Sequence, residues 1–374
     1  MSREYEVTTI VRRRGNGSKS TVEPTTYNTN TKELFEGDDL SIYNNWAQGT
    51  HEKNFCIIEL INIQQYLEFA INLAKQCGQI ILDASNARYS TNSKIHSKYG
   101  NQSDLVTETD QLVEELIKSK VKESFPEHRF IGEETMATGY KHEFTDDPTW
   151  IVDPIDGTTN FIHGFPFVAV SIGLTINKEP VVGVVFNPFL NELYTARKGH
   201  GAFLNHTTKL PLSYPNPPLQ LPSSLAKCLV IAEFGSDRSE ITISKKVNSV
   251  HNLLRKPGAV SWSSKKAGLV RGVRSIGSAA LNICSVAMGR ADIYYEFGCW
   301  EWDVTAALVI LNEAGGIMVS AQGYDEGPVD IFGRKYLAIR AGSPCDGDKD
   351  SKQSQLRLVR EIWDVIEEID CPRP

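Results

Sequence analysis

The sequence predicts a layered α/β (α+β) fold in which sheets and helices stack on one another. Two observations carry this. Apolar residues at helical spacing alternate along the chain with short β-rich runs bounded by turn residues, and no segment repeats. The composition of the 374 residues, 41% hydrophobic and 23% charged, is that of a water-soluble globular protein with a large core.

Residues 1–60 are rich in Thr, Asn, Ser, Gly and charge, and read as a flexible extension. Order is expected from near Ile61. There Leu67, Ala70, Ile71, Ala74, Gly78 and Ile81 fall on one helical face. A second helix is expected from about Asp110 to Ser124, with Leu112, Val113, Leu116, Ile117 and Val121 inward and Pro126 as its stop. Strands follow at Arg129–Gly132, Thr149–Val152, Phe167–Ile176, Val181–Asn187 and Glu192–Ala196, with a hairpin at Asn177-Lys178-Glu179-Pro180. The Pro/Ser-rich stretch Leu212–Ser224 divides the ordered chain into an α+β half, 61–212, and an α/β half, 213–374.

In the second half, Cys228–Glu233 reads as a strand, Ile241–Leu254 as a helix and Arg255–Val270 as an inserted surface loop. Small residues at Gly277–Gly289 suit a closely packed helix. Asp303–Ala314 is a further helix, closed by Gly315-Gly316. Leu356, Val359, Trp363, Ile366 and Ile369 place one apolar face on a last helix, Gln353–Ile369.

The net charge of −7 argues against a general nucleic-acid binder. Seven scattered cysteines without a C-x-x-C pair exclude the common zinc-knuckle spacings and suit a reducing, cytoplasmic compartment. No apolar run is long enough to span a membrane, and no apolar signal-peptide core is present. Arg12-Arg13-Arg14 is interrupted by Glu4 and Glu6 as an import signal and reads as a solvated tail.

The chemistry concentrates in Trp150-Ile151-Val152-Asp153-Pro154-Ile155-Asp156-Gly157-Thr158-Thr159-Asn160-Phe161. An apolar strand ends in two carboxylates, which repel unless a cation lies between them. Asp153 and Asp156 offer hard oxygen ligands to a divalent ion. The amides of Gly157 and Thr158 open a helix where an anion can bind. Metal and phosphate in one place read as metal-assisted phosphate-ester hydrolysis. A two-metal site needs more carboxylates. Glu133 and Glu134 follow a short strand, and Asp303 starts a helix, although each standing alone also reads as a turn or cap residue. Asp110, at the start of its helix, is either a cap or the acceptor for a threonine hydroxyl such as Thr158, the two together activating a water.

These motifs, with Gly272–Ala280, Tyr295-Glu296, Trp302-Asp303-Val304 and Glu313–Gly316, resemble the inositol monophosphatases, lithium-sensitive, magnesium-dependent members of the sugar phosphatase superfamily. The match runs from about Ile61 to the C-terminus. The resemblance implies alternating α-β-α-β-α layers and two to three Mg²⁺ ions. Glu133, Asp153 and the Ile155 carbonyl would hold the first ion, and Asp153, Asp156 and Asp303 the second. It implies Thr158 and Asp110 as the water-activating pair, with Glu133 counted among the catalytic residues. Gly157 and Thr158 would contact phosphate, with Asp156 and Asp303 beside it. Glu296 and the turn Gly277-Ser278-Ala279 would contact inositol hydroxyls, and Lys98 would be a mobile lysine near the metals.

The activity implied is hydrolysis of myo-inositol 1-phosphate by a homodimer, with neither nucleic acid nor membrane as partner. Histidinol phosphate and galactose 1-phosphate are alternative substrates, and a weakly catalytic binding protein is a further alternative. The Asp-Pro-Ile-Asp spacing counts against an aspartyl-phosphate mechanism, and Thr159-Asn160 after Asp-Gly-Thr counts against the bisphosphatase branch. Cys299-Trp300-Glu301 departs from the family pattern and adds bulk and an acid beside the sugar pocket.

Overall fold

A computed structural model describes residues 50–87, 95–97, 105–139, 143–216, 218–260, 263–320 and 329–373, together with the paired two-residue strands Val7–Thr8 (β1) and Thr26–Tyr27 (β2). Met1–Ile61 and Asn62–Pro374 form separate compact units. The first long helix, α1, spans Thr50–Ala87, so helix begins earlier than the apolar pattern near Ile61 suggested. Lys98 and its loop lie outside the described residues.

In the second unit, seven strands form a sheet in the order β11-β10-β9-β8-β7-β6-β5. These are Arg129–Gly132 (β5), Thr149–Asp156 (β6), Ala169–Ile176 (β7), Glu179–Asn187 (β8), Glu192–Arg197 (β9), Ala202–Leu204 (β10) and Thr208–Lys209 (β11). All neighbours are antiparallel except β5 and β6. The β7–β8 turn has Asn177 and Lys178 at φ of 52° and 64°, the left-handed pair that a two-residue hairpin needs.

A second sheet has the order β13-β12-β14-β16-β15. It contains Leu229–Ala232 (β12), Gly272–Arg274 (β13), Ile293–Phe297 (β14), Ile317–Ser320 (β15) and Lys335–Ile339 (β16). A short ribbon, Ile95–Ser97 (β3) with Leu105–Thr107 (β4), precedes helix α2, Glu108–Ser124, and the short helices Glu133–Ala137 (α3) and Thr158–His163 (α4) follow β5 and β6.

Side-chain alternation along the strands assigns the layers. Trp150, Val152, Val170, Ile172 and Leu174 face α1 and α2, packing with Ala70, Leu73, Ala74, Val113 and Ile117. The opposite face, with Ile151 and Ala169, packs on α6 (Ala279–Ala287) and α7 (Glu301–Glu313), which also cover Ile231, Tyr294 and Ala338 of the second sheet. The outer face of that sheet, with Val230, Ile293, Tyr295, Leu337 and Ile339, packs on Leu253 of α5 (Glu240–Leu254) and on Leu358, Val359 and Ile362 of α8 (Ser351–Trp363). The stack is therefore α-β-α-β-α.

Several boundaries differ from the sequence expectation for physical reasons. Asp110 does not begin α2. Thr107 is its N-cap, and Asp110 sits one turn in, completing a capping box with it. Likewise Asp303 is the third residue of α7, after Trp300 at the cap, so its carboxylate is not the cap itself. Leu112 is 58% exposed despite its helical spacing, because the face of α2 that meets the sheet is centred on Val113, Ile117 and Val121. The last helix ends at Trp363, although Ile366 and Ile369 beyond it are still buried. The 255–270 insertion is tied down: Lys266, Gly268 and Val270 donate backbone N–H groups to Asp364, Asn252 and Leu253.

Close approach of α7 to the seven-stranded sheet depends on two glycines in neighbouring strands. A Cβ on Gly173 would lie 2.7 Å from the Thr305 methyl, and one on Gly183 would lie 2.1 Å from the Ala306 carbonyl oxygen. Gly183→Ala is expected to destabilise the protein by about 2–3 kcal/mol through overpacking. A thermal or urea melt within error of the unsubstituted protein would contradict this packing.

Candidate active site

Strand β6 carries the first two acids. Residues 153 and 156, an odd number of positions apart, would face opposite sides of a regular strand. Here the β6–β7 register shifts between Asp153, paired with Ser171, and Asp156, paired with Ala169. The extra residue turns both carboxylates to one side, and Pro154, lacking an N–H, suits the irregular stretch. Asp303 arrives from the first turn of α7. One ligand atom from each of Asp153, Asp156 and Asp303 falls within 4.8 Å of the others.

Each acid is held separately. Asp153 accepts from the Ile155 N–H at 2.9 Å and lies within hydrogen-bonding reach of Asp303. Asp303 accepts from the Trp300 N–H at 2.7 Å. Asp156 sits on the N-terminus of α6, accepting from Ser278 Oγ at 2.5 Å and from the Ala279 and Ala280 N–H groups at 3.2 and 2.8 Å. The turn predicted to meet substrate thus also orients an acid. Glu133 enters from the end of β5, whose parallel pairing sets Gly132 opposite Val152. Its charge helps push up the carboxyls of Asp153, Asp156 and Asp303.

Burial is the main cause of that upward push. Asp153 and Asp303 are raised well above the ordinary carboxylate range, and Asp156 to about 7. No Lys or Arg among the described residues pairs with these three acids. An all-oxygen set of crowded carboxylates, without His or Cys, fits a hard divalent ion such as Mg²⁺.

A second group adjoins it. Asp110 is fully buried and receives both the N–H and the hydroxyl of Thr107 on one oxygen. Its other oxygen lies 3.1 Å from Thr158 Oγ1, which also stands 3.1 Å from the Ile155 carbonyl oxygen. The hydroxyl has one proton for these two acceptors. Gly157 precedes it at φ of 98°, and a Cβ there would meet the Phe167 carbonyl oxygen at 2.9 Å, so glycine is required. On β14, Glu296 accepts from Tyr294 OH at 2.7 Å, and burial raises its carboxyl to about 7.

Two acids that the sequence reading passed over organise this site. Glu114 of α2 accepts from the Glu134 and Thr135 N–H groups, each at 2.7 Å, and so fixes the turn that carries Glu133. Glu233 accepts from the Ile276 and Gly277 N–H groups at 2.6 and 2.8 Å and holds the turn leading into α6. The only available signal was an acid directly after a strand for Glu233, and a buried acid on the inner face of α2 for Glu114. Glu301, expected as an acid beside the sugar pocket, is buried and paired with Arg373.

The sequence model of the inositol monophosphatase family matches residues 62–367. The chain belongs to the inositol monophosphatase family. Inositol monophosphatase 1 of Bos taurus is 42% identical over 275 residues, covering 74% of this chain and 89% of the relative. Two fungal proteins align over more of the chain. Protein qutG of Emericella nidulans is 40% identical, covering 85% of this chain and 98% of the relative. The quinic acid degradation cluster protein x of Neurospora crassa is 37% identical, covering 83% and 96%. The solved inositol monophosphatase from Anabaena superposes with a TM-score of 0.59 at 30% identity, covering 82% of this chain and 97% of that one. The layered fold and the phosphatase family agree with the expectation from the motifs.

The raised carboxyls predict how metal and pH act together. Because the folded-state pKa values lie above the unfolded value, the metal-free fold binds more protons than the unfolded chain, and its stability falls as pH rises from about 4 through 7. A cation removes that cost. Adding Mg²⁺ is therefore expected to raise the melting temperature more at pH 8 than at pH 5, by calorimetry against a chelator control. An equal gain at both pH values would count against the acid cluster as the binding site.

Proposed function

We propose that the chain is a Mg²⁺-dependent phosphomonoesterase that hydrolyses a small polyol phosphate, myo-inositol 1-phosphate first among them, by attack of water at phosphorus. The observation that carries this reading is the meeting of Asp153, Asp156 and Asp303 beside the Thr158–Asp110 hydroxyl contact. Glu133, Asp153 and the Ile155 carbonyl would hold one ion and Asp153, Asp156 and Asp303 another, with Glu133 available to a third. When bound, these ions supply charge neutralisation of the phosphate and a lowered pKa for water.

The chain's own groups do the rest. If the Ile155 carbonyl oxygen were a ligand to the ion, the Thr158 hydroxyl would be left to donate to Asp110 alone. Its oxygen could then accept a proton from water as its own proton passes to Asp110. The Gly157 and Thr158 amides would receive the phosphate oxygens. Glu296, 8% exposed, would select the alcohol by its hydroxyls, together with the Gly277–Ala279 turn.

A second reading, another small monophosphate such as histidinol phosphate or galactose 1-phosphate, is favoured by a specific feature. Trp300 stacks on Trp302, with ring centroids 5.3 Å apart, in the segment where this chain departs from the family pattern. The Neurospora relative, named for a quinic acid degradation cluster, also supports a polyol outside inositol. The family resemblance adds a homodimer, lithium inhibition at the second metal position and a cytoplasmic location to the proposal. Among the described residues no helix is long and apolar enough to cross a membrane.

Phosphate release from inositol 1-phosphate, histidinol phosphate, sugar 1-phosphates, fructose 1,6-bisphosphate and adenosine 3′,5′-bisphosphate tests the reading. A polyol monophosphate should be turned over fastest, and preference for a bisphosphate would overturn it. Asp153→Asn should lower kcat/KM by more than about 100-fold, beyond the usual cost of losing an outer-sphere partner. Near-normal turnover in that variant would sink the two-ion arrangement. Thr158→Ala should lower kcat by about 100-fold or more with little change in KM; an unchanged kcat removes the hydroxyl from the mechanism.

A further inference from the structure

The segment following Ile369 runs to the turn that opens α7, and its contacts there are more extensive than a surface tail needs. Arg373 Nη2 pairs with Glu301 Oε2, and Glu301 is only 1% exposed. The Arg373 guanidinium also lies 5.3 Å from the Trp300 ring centroid and 4.9 Å from that of Phe332. Arg334 lies over Trp300 at 3.7 Å and donates to the Pro372 carbonyl at 2.9 Å and to the Gly298 carbonyl at 2.8 Å. Trp300 also stacks on Trp302, the planes inclined by 16°.

Trp300 therefore joins two structures. Its ring is held by another indole and two guanidinium groups, a favourable cation–π arrangement. Its backbone N–H donates to Asp303 Oδ2 at 2.7 Å. The geometry points to Arg373 as a positioning residue that, through Glu301 and Trp300, sets the Asp303 carboxylate and thereby the affinity of the site for its divalent ion.

Two alternatives explain the contacts less well. A purely electrostatic role would place Arg373 against the acid cluster, yet its partner is Glu301. A purely structural role would not need Arg334 and Arg373 to converge on the one residue whose N–H holds Asp303. Losing the Arg373 charge leaves a buried carboxylate without its partner, and the Glu301 side chain must then move. That shift acts on residues 300–303. The cost to metal binding is expected at the lower end of that seen for outer-sphere partners, roughly tenfold.

This inference rests on Asp303 being a metal ligand, so the test separates the two. Mn²⁺ binding to the full chain without substrate is followed by loss of the free-ion electron paramagnetic resonance signal, and folding is checked by the metal-free thermal melt. Asp303→Asn should abolish the tighter binding; if it does not, the ligand assignment fails whatever Arg373 does. Arg373→Ala should weaken Mn²⁺ binding roughly tenfold, and Arg373→Lys, which keeps the charge at Glu301, should recover part of the loss. Should Arg373→Ala melt early, Glu301→Gln, which removes the buried charge and its attraction to Arg373, is expected to weaken binding in the same direction. Native Mn²⁺ affinity in a folded Arg373→Ala protein, or in Glu301→Gln, overturns the proposal.

Discussion

Three carboxylates brought within 4.8 Å of one another, Asp153 and Asp156 buried and Asp303 half-buried, are the constraint around which the rest of the structure is arranged. Burial and mutual repulsion both oppose the charged state, so the arrangement persists only if the scaffold holds each acid firmly. A strand irregularity aims Asp153 and Asp156 to one side, α6 places its N-terminal amides on Asp156, and α7 delivers Asp303. The layers on either side supply the rigidity. Gly173 and Gly183 let α7 lie against the sheet that carries the other two acids. A site so crowded with negative charge binds a cation more readily than it binds nothing.

The second tier is a set of acids that hold backbone rather than metal. Glu114 receives the amides at the start of the Glu133 turn, and Glu233 receives those before α6. Thr107 gives two hydrogen bonds to one oxygen of Asp110, which leaves the other oxygen facing Thr158. Glu114, Thr107 and Asp110 are buried and Glu233 is half-buried, and their partners are fixed, so the groups they hold inherit defined orientations instead of searching for them. The clamp on Trp300 belongs to the same tier and is particular to the stretch where this chain departs from its family's pattern.

Much of this was legible in the sequence, and for stated reasons. The strand-end pair Asp153 and Asp156 stood out because two acids closing an apolar run have no structural excuse. The hairpin at Asn177-Lys178 and the helix over 240–254 were carried by turn chemistry and period. What stayed hidden depends on distant neighbours. Asp110 and Asp303 looked like caps because an acid near a helix start commonly is one; only the fold reveals that Thr107 and Trp300 stand at those ends. Glu114 and Glu233 carry only a weak local mark, since their value lies in amides at positions 134, 135, 276 and 277. Glu301 read as a pocket acid because its partner, Arg373, lies 72 residues away.

The account stands on the claim that the acid cluster is a cation site. Crystals of the full chain soaked in Mn²⁺ and measured for anomalous scattering test it most directly. The account predicts anomalous peaks in contact with Asp153, Asp156 and Asp303, with a carboxylate oxygen of Asp153 shared between two of them. Full Mn²⁺ occupancy elsewhere on the chain, with no peak at these three carboxylates, would contradict it.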